Sequence, residues 1–473
     1  MTSIEKKFLS RANKIPFHGT GLSVDLHVPD LYDLAEALSE AGLSYDYLEI
    51  FKAPLSQLFP ARERFPQTLP LEYHADGLWF TQPDFLGSPW EEECRRIARH
   101  TRVLRSSWIT HECASKQISG RSVGTYLPPL LTLEAARLAG NQGELVQRKL
   151  DELSGNSAPL LLIEVPPFYT FTAGDISLEA FFQEISKRTS CGILLDIGHL
   201  YSYYLSSDLA KTISPADFLS RFLERFPLHS VIQIHLGGLR PFHETFLDDH
   251  GSPVPPILFD LLRQTLRHPG LVNLKGIALE VDTKEISLIV GEYEYFLAIC
   301  RGIRRGSGKA LRNQIEIGEK QQETARGNAG NLEGLYLDYF NAVTGCLPET
   351  ENPVFRMFQF SPATGSLIPF QRDYLVDQVL NWSGRIEELF PATVQILSEY
   401  GVRLESFIPW FLGGQSAGGR SFDFFIIKLD RFREFALEKS RTLKGAKAEG
   451  LAHEAEREYR EIMEAYFQFN PED

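Results

Sequence analysis

Six short apolar runs, each ending on a histidine or a carboxylate, constrain this chain more than any other feature. The run at 160–163 delivers Glu164, 193–195 delivers Asp196, 231–234 delivers His235 and 276–279 delivers Glu280. Residues 70–73 lead in the same way to His74, and 103–110 to His111. Runs this short and uninterrupted read as strands buried on both faces of a parallel sheet, not as amphipathic helices. A carboxylate at the end of a buried strand needs a cation, a proton or hydrogen-bond donors. One such residue is explained by helix capping, as Asp196 would be in LLDIGH; six are not. In a parallel α/β barrel the C-terminal strand ends share one face, where residues far apart in sequence converge.

Taken in order, the chain supplies eight such strands. Gly19–Val24 comes first and 46–51 second, with Glu49 near its end; the six runs above follow. Helical patterns lie between them at 31–43, 90–100, 131–153, 178–187, 215–226 and 256–266, and a last one covers 286–303. Strand–helix alternation of this kind predicts a (β/α)8 TIM barrel over residues 1–303. An open doubly wound sheet is the alternative, but it gathers ligands at one switch point and not from most strands. Beyond residue 304 the texture changes. A basic, Gly-rich stretch at 304–309 reads as a linker, and 304–473 as a mostly helical C-terminal domain, with helices expected at 314–343, 374–400, 424–444 and 451–467.

Composition excludes several classes. A net charge of −14 argues against non-specific nucleic-acid or anionic-membrane binding, which need basic surfaces. Five cysteines without a CxxC pair read as reduced thiols, no run approaches the ~18 apolar residues of a membrane span, and the N-terminus lacks a signal-peptide core, so a cytoplasmic location is expected. The glycines at 302–309 lack phosphate-loop spacing, and those at 327–334 follow no strand. Cys191 opens a strand and reads as packing, not as a nucleophile.

The candidate ligands on the predicted rim are His74, His111, Glu164, Asp196, His199, His235, Asp248, His250 and Glu280. Clustered carboxylates repel one another without cations, so nine such residues suggest two or three divalent metals. The donors are nitrogen and oxygen without thiolate, which suits iron, manganese or catalytic zinc over structural zinc. The residues alone stop at a multinuclear metalloenzyme of undefined reaction.

The motifs HGTGL (18–22), LPPLLT (127–132), LLLIE (160–164), LLDIGH (194–199), IHLGG (234–238), DDHGSPV (248–254) and LEVD (279–282), with the strand to His74, occur in an order that resembles the multinuclear non-heme iron-dependent oxidative enzymes. That DUF692-like family includes the methanobactin biosynthesis oxidase. The resemblance covers roughly residues 18–285. It implies that the nine residues above fall on iron-ligand positions, with Asp282 as an adjacent acid and proton acceptor, or else an orienter of a ligating histidine. It further implies an O2-dependent oxidase or oxygenase with two or three iron ions, modifying a cysteine-containing peptide in ribosomal-peptide (RiPP) biosynthesis, with a peptide-presenting partner protein in view. This chain departs from the pattern in three places. His111 stands in THECA where the family commonly has Ser-Glu-His, His199 stands where many members carry Asn, and Leu239 replaces a frequent His for which His243 is the candidate substitute. Two other readings belong to the same residues: a divalent-metal isomerase or hydrolase of the xylose-isomerase or endonuclease-IV barrel type, and a non-catalytic metal-binding peptide recruiter. The aromatic clusters at 355–360 and 408–411 look exposed and point to substrate or partner recognition by the C-terminal domain, the alternative being that they pack that domain against the barrel. His453, in a charged helical run, reads as a solvated face.

Overall fold

The computed structural model describes residues 2–243, 245–301, 332–347, 352–414, 424–443 and 446–469. Eight parallel strands close a barrel: β1 (Gly19–Val24), β2 (Tyr47–Phe51), β3 (Leu71–His74), β4 (Trp108–Glu112), β5 (Leu160–Glu164), β6 (Gly192–Asp196), β7 (Val231–Leu236) and β8 (Gly276–Glu280). Each pairs with the next in sequence, and β8 returns to β1 with Ser23 opposite Glu280. Alternation fixes what points inward. Tyr47, Trp108, Leu160, Leu162, Leu194, Ile232 and Ala278 fill the lower barrel. Their neighbours Leu48, Ile109, Leu161, Ile163, Ile193, Ile277 and Leu279 face the surrounding helices.

Large and small residues interlock across this lower layer. A Cβ on Gly276 would lie 2.7 Å from the Tyr47 hydroxyl, and one on Gly21 2.6 Å from its ring, so both glycines make room for the tyrosine. An N-terminal helix not expected from the apolar pattern, Ser3–Ala12, closes the floor with Phe8, Ala12 and the following Ile15. Thr2 and Glu5 form a capping box at its start.

Several element boundaries differ from expectation. Residues 103–107 do not belong to β4: the helix Trp90–Leu104 runs on to Leu104 and stops where Arg105 turns left-handed at φ 61°. A helix at Leu55–Arg64 lies between β2 and β3, hidden in the sequence by Pro60 inside it. The expected helix 374–400 is three shorter ones, Leu375–Leu380, Ile386–Leu389 and Pro391–Glu399. Ser383 and Gly384 take positive φ between the first two. Of the helix expected at 314–343, Leu332–Val343 is present; residues 314–331, the stretch 304–309 and the glycines at 327–331 lie outside the described residues. Helices Phe424–Thr442 and Ala446–Phe469 complete the chain.

The segment from 332 onward packs on the loops that follow β4 and β5. Strand Phe358–Phe360 pairs antiparallel with Phe171–Ala173, just after β5. Phe171 meets Phe358 at 5.5 Å and Phe370 at 5.1 Å between ring centres, and Tyr374 bonds Thr125 through its hydroxyl at 2.9 Å. The clusters at 355–360 and 408–411 are thus not exposed recognition surfaces. Phe358, Ile408 and Phe411 are buried, Phe355, Met357, Phe360 and Trp410 pack against the same core, and all join the barrel loops in one hydrophobic cluster. Aromatic side chains of this size gain more from that burial than from remaining wet.

Candidate metal centre

The inward positions at the C-terminal strand ends bring the polar residues together. Glu164, Asp196 and Glu280 each follow an inward-facing residue by two places on the same strand, Glu112 follows inward Trp108 by four, and His74 is in phase with inward Glu72. His235 is inward for a different reason. A bulge between Val231 and Gln233 shifts the β7–β6 register, so His235 stands opposite Asp196 instead of facing the helices. The hairpin Leu239–Phe242 and Thr245–Asp248 after β7 adds Asp248, and the turn beyond it adds His250.

Four groups of ligand-type atoms lie within 4.8 Å of one another: His74, Glu112 and Glu164; Glu164, Asp196, His235 and Glu280; His250, Glu280 and Asp282; and His199, Asp248 and His250. Glu164, Glu280 and His250 each belong to two groups, so the four form one continuous centre. Asp248 bridges His199 Nε2 at 3.2 Å and His250 Nε2 at 3.1 Å. Glu280 bridges His235 Nδ1 at 3.2 Å and His250 Nδ1 at 3.4 Å. Glu164 lies between His74 Nε2 at 3.3 Å and His199 Nδ1 at 3.4 Å. Asp282 stands at the rim, 3.6 Å from His250 Nδ1.

Asp196 is both a cap and a candidate ligand. Its Oδ1 accepts the His199 backbone N–H at 2.6 Å, starting helix Ile197–Leu205, while its Oδ2 has no hydrogen-bond partner among the described residues. His199 donates from Nδ1 to the Val165 carbonyl at 2.7 Å, which leaves Nε2 as the nitrogen that faces Asp248.

Opposing charges dominate the electrostatics. Burial pushes the Glu164 carboxyl up to about 7, against the pull of His74 and His199. Burial would lower His74, yet Glu112, Glu164 and Glu49 hold it up at about 10. His199, His235 and His250 are likewise raised well above the usual imidazole range, with flanking carboxylates overriding burial. Burial favours neutral Glu49, but His235 outweighs it and holds that carboxyl down at about 2.

Two expected residues are not in the centre. His111 points outward from β4, its Nε2 accepting the Leu78 N–H at 3.0 Å and its Nδ1 donating to the Glu112 carbonyl at 2.9 Å. It is a buried structural histidine beside Trp79 and Phe80. The next residue, Glu112, takes the inward position, in one ligand group with His74 and Glu164. Counting by twos from Trp108 would have found it. His243 does not compensate for Leu239; it pairs with Asp373 at 2.7 Å on the surface. Glu49 is the second missed residue: it meets His235 Nε2 at 3.0 Å and accepts from the Trp108 indole at 3.2 Å, orienting the imidazole from below.

The donor set fits metal ions. Glu112 Oε2 and Asp196 Oδ2 are buried atoms without a hydrogen bond among the described residues, and both residues belong to the ligand groups above. A structural carboxylate in the same barrel contrasts with them. Glu72 accepts from His18 at 2.8 Å and from the Ser107 and Trp108 amides at 2.7 and 2.8 Å. Leaving two such atoms unmet costs about 1–3 kcal/mol each, a cost divalent cations would remove.

Known proteins resemble this chain over its barrel portion. A UPF0276 protein of Anaeromyxobacter sp. (strain Fw109-5) is 27% identical over 263 residues, covering 54% of this chain and 83% of the relative. A UPF0276 protein of Caulobacter vibrioides (strain NA1000 / CB15N) is 25% identical over 301 residues, covering 62% and 98%. Among solved structures, endonuclease IV from Thermus thermophilus superposes with a TM-score of 0.37 at 17% identity, covering 60% of this chain and 99% of that one. A D-tagatose 3-epimerase-like protein gives 0.39 at 15%, covering 60% and 100%. The family profile described as "RiPP precursor modification enzyme MbnB/TglH/ChrH" matches residues 32–293, more than half of the chain and all of the metal-type residues gathered above. The chain belongs to that family of RiPP precursor modification enzymes.

Proposed function

We propose that this protein oxidatively modifies a cysteine of a peptide substrate, using O2 and two or three iron ions. The ions would be held by His74, Glu112, Glu164, Asp196, His199, His235, Asp248, His250 and Glu280, with Glu112 in the place that the family resemblance gives to His111. The observation that carries this reading is the sharing of Glu164, Glu280 and His250 between ligand groups. Shared ligands join neighbouring ions into one multinuclear centre, and membership of a peptide-modifying family supplies the substrate class. Iron bound there would supply O2 activation and a position for the substrate thiolate.

The protein's own residues do the rest. Val165 and Asp196 fix the ring and backbone of His199, and Glu49 fixes His235, so both imidazoles are oriented before any ion arrives. Burial of Glu164, Asp196, His199 and His235 keeps bulk water from that part of the centre. Asp282, at the partly open rim beside His250, holds a proton taken from the substrate or, failing that, orients His250.

The test is metal analysis of anaerobically purified protein, followed by O2 consumption with a cysteine-containing peptide. His199→Ala and Glu164→Ala should lose metal and activity with the fold largely intact, since the barrel core is independent of the rim. Full metal retention in both variants would sink the assignment. Turnover by zinc-loaded protein without O2 would replace it with a hydrolase or isomerase.

A further inference from the structure

The barrel face opposite the metal centre carries a cleft of about 880 Å³. It lies between helix Ser3–Ala12 and the C-terminal ends of helices Trp90–Leu104 and Leu133–Ser154. Ser107, just before β4, and Leu160, at the start of β5, line it and place it at the N-terminal strand ends. Lys6, Lys7, Arg11, Lys14, Arg102 and Arg105 line it against a single carboxylate, Asp151. In a chain of net charge −14 this concentration of cations stands apart. Asp151 is engaged by Arg11, and Lys7 reaches Glu144 at 3.7 Å. Lys6, Lys14, Arg102 and Arg105 are exposed and have no ion-pair partner among the described residues.

Arg105 adds a second observation. It holds the left-handed position that ends helix Trp90–Leu104, at φ 61°, where glycine is the favoured residue. Its side chain lines the cleft.

The shape of the charge selects the ligand. Compact phosphates are cradled by helix N-termini and glycine-rich loops; here one helix N-terminus reaches the cleft through Ser3, but two helix C-termini also border it, with carbonyls that disfavour an anion held close to the backbone. The cations sit instead on long stems from separate elements, a spread that matches the spaced carboxylates of an extended chain. We infer that the cleft binds an acidic segment of the peptide substrate, remote from the residue that is modified. The inference rests on the substrate being a peptide, and not on which metal the centre holds.

The experiment is fluorescence anisotropy of the metal-loaded protein with a labelled twelve-residue Asp/Glu-rich peptide and its Asn/Gln counterpart. Expected is binding of the acidic peptide at low salt that weakens at least about tenfold in the triple variant Lys6→Gln/Lys14→Gln/Arg105→Gly, and little binding of the neutral peptide. Glycine suits the left-handed turn, so Arg105→Gly alone keeps the fold while removing one charge, and should weaken binding with no loss of thermal stability. Equal binding of the two peptides, or undiminished binding by the triple variant, overturns the inference. So does displacement of the peptide by pyrophosphate at equimolar concentration, which would mark a compact-anion site. Metal content, measured on the same samples, separates the readings: acidic-peptide binding by protein that retains no iron would defeat the iron assignment and leave the cleft.

Discussion

At Thr110-His111-Glu112 one position of strand phase separates a structural residue from a candidate ligand. His111 is buried, with both ring nitrogens in hydrogen bonds, while Glu112 faces His74 and Glu164 with an unmet oxygen. Glu112→Gln should therefore lower metal content by about one ion per chain at nearly unchanged stability. His111→Ala should keep the metals but lose about 1–3 kcal/mol by stranding the buried Leu78 amide. Metal analysis and urea denaturation of the two variants check this; the reverse pattern would return His111 to the centre. The sequence contains the information, since Trp108 is large enough to mark the inward phase. A histidine, as the more familiar ligand, draws attention from the glutamate beside it.

Among the elements, helix Ser3–Ala12 has a role out of proportion to its length. Phe8 sits against Tyr47, Trp108, Leu160 and Ile232 in the barrel floor and is 3% exposed. Removing it leaves a cavity in a layer already fixed by the close fit of Tyr47 on Gly21 and Gly276. Phe8→Ala should cost about 3–5 kcal/mol, read as a lowered urea midpoint, with metal stoichiometry of the folded protein unchanged. A loss of metal at unchanged stability would instead couple floor to rim. The bulge in β7 is the other decisive element. It turns His235 inward, and no residue type in the VIQIHL run announces it.

For the whole molecule, the segment beyond 332 is a cover for the barrel loops. Phe171 packs between Phe358, Phe370 and Tyr339, and Val379 and Phe411 close on Gly124 so tightly that a Cβ there would lie 3.3 Å from Val379. Residues 1–301 expressed alone should consequently bind more of a hydrophobic dye such as ANS and melt lower than the full chain. A fragment with native melting and no added dye binding would show that the cover is dispensable. Among the described residues no helix is long and apolar enough to cross a membrane.

What the sequence by itself determined is the barrel and most of its rim. Parallel strands buried on both faces must be nearly all apolar, so each polar residue that ends such a run is conspicuous, and His74, Glu164, Asp196, His199, His235, Asp248, His250 and Glu280 all meet where they were expected. Only the tertiary structure decided which of two adjacent residues faces inward at β4, and that a bulge rescues His235. The same holds for the burial of the aromatic clusters beyond 332 and for the gathering of scattered lysines and arginines into one cleft. The physical reason is common to all of these. Apolar periodicity is a local property written along the chain, whereas strand phase, register shifts and the contacts of a surface residue are set by partners that are distant in sequence.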